Sequence, residues 1–243
     1  YTLNTEFAGG FRAVVTMIND DQSQPYFEEA FIRFLEATPG TLARREGYGL
    51  SDLVNEDGSI NMENRFSEIM LYRSHLGFTN GLLQPGDIIE VWGEGSSFDG
   101  VPEFIDQEGI NSAGEEFTIL GSDISLARPE YQPTIAAFWD EAHENHFVKL
   151  YAEKTGSSSV RDSAGQEITV YETGGYHTKS LPGSVGDILM LTGVNTPDDG
   201  TRIFRCHEAV VASSIPVTGY PPTSTVDAIT PYQQSGSGIT LTA

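Results

Sequence analysis

The groups with most chemistry to offer in this 243-residue chain are five histidines, one cysteine and 35 acidic side chains. The densest mixture is DEAHENH (140–146), which places His143, Glu144 and His146 within four residues. Histidines three apart share a helix face and, with Asp140 or Glu141, can take zinc. The pattern is not HExxH, and the competing expectation is a solvated, acidic helix end. Arg205-Cys206-His207 sets a thiol between cationic neighbours, the environment that activates cysteine. Its place in the last predicted strand, TRIFRCHEAVV, points instead to a core or edge residue. No GxSxG, Walker loop or GxGxxG occurs, and each of those motifs has a mechanical reason to be present where its chemistry is. Carboxylate pairs are everywhere, so none stands out as general acid and base. No catalytic residue is expected, and the chain reads as a non-enzyme.

The sharpest local motif is NEDGSINMEN (55–64). Asn55, Asp57 and Asn61 offer oxygens at alternate positions around the Gly58 turn, with Ile60 as an apolar anchor, and the run resembles a calcium loop of the EF-hand or dockerin type. It departs from that pattern at its first and twelfth positions, Leu53 and Asn64, where anchoring carboxylates belong. Asp52 or Glu63 would have to substitute. Two expectations stand: a calcium site using Asn55, Asp57, Asn61 and Glu63, or a plain acidic hairpin.

Charge narrows the partners. Thirteen Lys+Arg against 35 Asp+Glu give −22, a field that repels polyanions, and binding to nucleic acid needs cations that release counterions. Nucleic acid and anionic membrane surfaces are disfavoured, whereas a neutral glycan is not. No apolar run reaches the roughly 18 residues of a membrane span. One cysteine excludes an internal disulfide and any cysteine-rich metal site. A chain that starts at Tyr1, acidic and with few lysines, fits a processed protein working outside the cell.

The elements that must carry these groups are repeated. GDIIEVWGEGSSFDGVPEF (86–104) matches GDILMLTGVNTPDDGTRIF (186–204) without a gap, pairing Gly86, Asp87, Ile88, Gly93, Gly100 and Phe104 with residues 100 further on. SEIMLYR (67–73) matches QEITVYE (166–172), and AFIRFLEAT (30–38) is set against HFVKLYAEK (146–154). The alternation of these runs, their β-branched and aromatic content and the Asp-Gly turns predict strands. The expected plan is all-β with minor α: an N-terminal extension (1–29) with one strand at 11–18, a module at 30–110, and a connector (111–145) with a strand at 117–120. A helix capped by Thr134 and running through 134–146, a second module at 146–212 and a Ser/Thr/Pro/Gly-rich tail (213–243) complete it.

Strand, strand, strand, long bent strand, turn and closing strand in each copy resemble the five-stranded OB barrel, found in tandem in secreted bacterial proteins such as the accessory regions of extracellular nucleases and phosphoesterases. The resemblance implies a ligand face on the second and third strands. That face would hold Tyr48, Arg73 and His75 in the first copy and Arg161, Tyr171 and Tyr176 in the second.

Two functions from different classes follow. One is an extracellular structural subunit that joins copies of itself, as a filament or surface layer, through strand-forming tails. The tail ends in GITLTA (238–243), whose Ile239 and Leu241 alternate with threonines as in a half-buried strand. The other is an accessory module of a secreted enzyme that binds polysaccharide or nucleic acid.

Overall fold

The computed structural model describes residues 4–19, 29–41, 52–72, 83–98, 101–105, 117–140, 143–198 and 201–212. The described chain is mostly β, in two six-stranded sheets. The first holds β1 (Asn4–Ile18), β2 (Glu29–Ala37), β3 (Glu68–Tyr72), β4 (Asp87–Phe98), β5 (Val101–Ile105) and β6 (Phe117–Ser122). Its order is β1-β2-β3-β5-β4, with β3 and β5 parallel, and a long β1–β4 ladder closes these five strands into a barrel. This order fits the OB barrel. β6 lies outside the ring, on the N-terminal half of β4.

The second sheet holds β7 (Glu130–Tyr131), β8 (Phe147–Lys154), β9 (Ser159–Arg161), β10 (Glu167–Tyr171), β11 (Ile188–Asp198) and β12 (Thr201–Val211). It is barrel-like, with β11 paired to both β12 and β8, and β7 added beside β8. Its strands take the places of the first sheet in order, β8 for β1 through β12 for β5.

Registers place the copies residue by residue. Leu71 pairs Phe104 across β3–β5, and Val170 pairs Phe204 across β10–β12. Gly86 and Gly186, at φ +95° and +94°, occupy the left-handed region that glycine alone enters without cost. Each is followed by an aspartate whose carboxylate accepts a backbone N–H three residues upstream, Gln84 for Asp87 and Ser184 for Asp187. Two matches read from sequence thus coincide with two matched ladders.

The third does not. β8 stands where β1 stands: Val91 pairs Phe11 as Leu191 pairs Leu150. The counterpart of LYAEK is therefore FRAVV (11–15) and not a stretch of β2. Residues 4–18 form the first barrel strand, so the first barrel begins well before residue 30. β1 and β2 share one apolar alternation, so periodicity alone does not tell which of them corresponds to β8. β5 and β6 together do what β12 does alone: Phe98–Val101 to Glu94–Ile105 and Val91–Phe117 in one ladder correspond to Asp198–Thr201 to Val194–Arg205 and Leu191–Ala209 in the other.

The helix is also shorter than its sequence promised. α1 spans only Ile135–Phe138, capped by the Thr134 hydroxyl, which accepts from Ala137 N–H. Asn195 donates its side-chain amide to the Phe138 carbonyl, taking the acceptor that a further helical turn would need. Asn145 then turns the chain at φ +61°, a conformation asparagine tolerates better than most residues.

Each sheet encloses its own core. Phe7, Phe11, Phe34 and Phe104 pack edge-to-face and stacked inside the first barrel, with Leu53, Val54 and Ile60 closing one end. Ile135 and Phe138 of α1 join Leu150, Val170, Leu189, Leu191 and Phe204 in the second.

Candidate functional site

A third apolar cluster joins the two sheets. Met17, Phe31, Met70 and Val101, on the outer surface of the first barrel, pack against Phe147 and Val194 of the second. Charged groups are buried around it. Glu68 takes the Arg33 guanidinium on one oxygen at 2.7 Å and the Phe147 N–H on the other at 2.9 Å, so one carboxylate ties β2 to β8. Arg33 also donates to the Leu126 and Arg128 carbonyls. Arg205 pairs with Glu29 and lies over the Phe31 ring. Arg65 pairs with Glu144, and Asn145 donates to the Pro102 carbonyl. Buried charges persist only when paired and hydrogen-bonded, and these pairs run across the seam.

The covered surface is the β2–β3 face. Tyr48, Arg73 and His75, expected on that side of the first copy, lie outside the described residues. What the structure shows there is occupancy by the second sheet, with Phe31, Met70, Glu29 and Glu68 all buried. In the second copy the equivalent face is open. Registers set Ser159 where Phe31 stands, Arg161 for Arg33, Glu167 for Glu68, Thr169 for Met70 and Tyr171 for Tyr72. The arginine–glutamate pair of positions recurs, but the two apolar anchors have become Ser159 and Thr169. Arg161 is exposed and reaches Glu153 at 3.4 Å, Tyr171 is half-buried and Tyr176 is half exposed in the following loop.

At one edge of the seam, Met62, Glu63, Glu68, Glu130, His143 and His146 line a cavity of about 160 Å³. The DEAHENH histidines are therefore not a solvated helix end. His146 is buried, its Nε2 3.4 Å from the Ser67 hydroxyl, and its ring stands edge-on to His143 at 5.5 Å. Burial pushes the His146 imidazole below its ordinary value, Glu68 opposing and His143 adding to the shift. Among the described residues, no three His, Cys, Asp or Glu side chains converge as metal ligands. Glu144 points away, into its pair with Arg65.

The acidic loop forms a hairpin, bridged Val54 to Ile60. Asp57 accepts from both the backbone and the hydroxyl of Ser59, which hold its carboxyl below the usual range. Asn55 donates to the Ser59 hydroxyl, Asn61 bridges the Asp52 carbonyl and the Glu63 N–H. Of the oxygens that a cation would use, those of Asp57 and Asn61 accept hydrogen bonds from the loop itself. Cys206 is buried in the second core, its thiol pushed up to about 12 by burial. That protonated thiol is no nucleophile at neutral pH.

The outer strands carry the remaining feature. Among the described residues β6 pairs on one side only, and Ile119 and Leu120 are 46% and 52% exposed. Its counterpart, the last turnless stretch of β12, exposes Val210 and Val211 at 38% and 52%. Registers make Ile119 and Val211 equivalent, both facing position 89 or 189 of the long strand. Nothing in sequence spacing singled out β6 as an edge; that follows only from the pairing. Compared with known proteins, the chain matches no family model, no curated protein and no solved structure.

Proposed function

We propose that this chain is a non-catalytic, extracellular structural subunit: two tandem OB modules docked into one unit that joins copies of itself through added strands. The observation that carries this reading is the paired aliphatic edge, Ile119 and Leu120 on β6 and Val210 and Val211 on β12. A strand with one unpaired side is a template for another strand, and soluble proteins ordinarily guard such edges with lysine, proline or a covering element. Here both copies expose aliphatic side chains, and Ile119 and Val211 stand at the same register. The residues 238–243, GITLTA, supply an alternating donor in sequence. A donor from one copy on the edge of the next is a heterologous contact, which propagates unless a rotation closes it.

The docked seam supports the same reading. The β2–β3 face of the first module, where an OB module holds its ligand, is spent on holding the second module, leaving a single rigid building unit. A second reading rests on the open face of the second module, whose Arg161, Tyr171 and Tyr176 suit a neutral polysaccharide; Ser159 and Thr169 keep that face wettable. Calcium at Asn55, Asp57, Asn61 and Glu63 would add to either reading, at the cost of the hydrogen bonds that Asp57 and Asn61 accept within the hairpin.

Charging the edge tests the assembly. The double variant Ile119→Lys, Leu120→Lys, or deletion of 233–243, is expected to leave a folded monomer by sedimentation velocity where the parent chain forms larger species. A parent chain that sediments as a monomer at every concentration, while Tyr171→Ala and Arg161→Ala abolish retention on a glycan column, would transfer the function to the second module's face.

A further inference from the structure

Each sheet buries a core of its own, and the seam between them is a separate, smaller cluster: Met17, Phe31, Met70 and Val101 against Phe147 and Val194. Parting the seam would break the ion pairs around it but neither core. A local opening of this kind needs less than global unfolding.

The histidine cavity lies on that seam. His146 is 3% exposed and has one long contact, from Nε2 to the Ser67 hydroxyl at 3.4 Å. That hydroxyl donates to the Met62 carbonyl, so it accepts from Nε2, and the neutral ring carries its proton there. An added proton goes to Nδ1, which has no hydrogen-bond partner among the described residues.

Charged groups face the ring from each neighbouring element. Glu68 on β3 is the one buried carboxylate lining the cavity, and it is already shared between Arg33 of β2 and the Phe147 N–H. Glu63 of the acidic hairpin and Glu130 of β7 line the mouth and are exposed. His143 stands edge-on at 5.5 Å, its Nδ1 buried without a partner, and Glu144 is paired with Arg65. A proton on His146 would therefore add a buried cation beside an arginine that has taken the available carboxylate.

We propose that the seam is an acid-operated latch: proton uptake at His146 parts the two modules and uncovers the β2–β3 face of the first, while both sheets stay folded. Burial holds the imidazole of the closed seam below its ordinary value of about 6.5. The seam is fully closed above that value, and below it the open state takes the proton first. Opening is then favoured by up to about tenfold per pH unit. The latch does not rest on assembly through the outer strands.

Methionine oxidation by hydrogen peroxide reads the latch, because Met17 and Met70 are buried in the seam and Met62 is exposed. From about pH 7.5 to about pH 5.5, oxidation of Met17 and Met70 is expected to speed up about tenfold relative to Met62. Over the same range Cys206 in the second core should stay closed to a disulfide probe, and the amides of 13–15 in the first barrel should stay protected. His146→Gln should remove the acceleration. His143→Gln, which takes away a neighbour that opposes the proton, should weaken it. The proposal is overturned by Met17 and Met70 equally protected at both pH values, or by Cys206 and the amides of 13–15 opening in step with them. An acceleration kept in His146→Gln, or undiminished in His143→Gln, overturns it as well.

Discussion

Glu68 and Glu167 occupy the same register position in the two copies and live in opposite environments. Glu68 is buried and shared between Arg33 and the Phe147 N–H. Removing it strands a guanidinium and a backbone donor in the seam, and breaking a buried pair costs about 3–5 kcal/mol. Glu68→Ala should lower the urea midpoint accordingly, while Glu167→Ala on the solvated face should leave it essentially unchanged. His146 makes a second residue-scale prediction. Its folded-state value is lowered by burial, so in mild acid the unfolded chain takes the proton first. Stability is therefore full above the ordinary histidine value of about 6.5 and falls as pH drops below it. Urea unfolding between about pH 7.5 and 5.5 should show this loss, and His146→Gln should remove part of the slope. A slope identical in the variant would assign the effect elsewhere.

At the scale of elements, the long strands β4 and β11 coil from one pairing partner to the next, and the bend of β11 is set at Gly193. The register slips between Thr192 and Gly193, and a Cβ at Gly193 would lie 2.2 Å from the Arg205 carbonyl oxygen, a backbone atom that cannot swing aside. Gly121 on β6 has nothing within 4 Å of the same construction. Gly193→Ala should then destabilise by more than about 2 kcal/mol, whereas Gly121→Ala should be close to neutral; thermal melts of the two variants decide. Much at this scale was legible in the residues. The strands led by Gly86-Asp87 and Gly186-Asp187 and those at 67–73 and 166–172 follow from local chemistry that needs no tertiary partner. The helix after Thr134 and the match of β2 to β8 misled for one reason: both depend on long-range contacts. Asn195 reaches from β11 to end the helix, and β1 is recognised as a barrel strand only through β4. The seam was equally hidden, because Glu29, Glu68 and Arg205 look like surface charges until the partner sheet buries them.

At the scale of the whole molecule, the duplication has been used asymmetrically. One copy spends its second-and-third-strand face on docking, the other keeps it wettable, and both retain an aliphatic outer edge. A chain built so has aliphatic strands at its margins, where we propose that copies meet. Backbone amide hydrogen exchange as a function of protein concentration tests this most directly. If neighbouring copies add strands there, protection at 117–122 and 207–211 should rise with concentration while the barrel interiors, such as 148–152 and 189–194, stay constant. Protection at both edges that is the same at every concentration would contradict assembly through these strands.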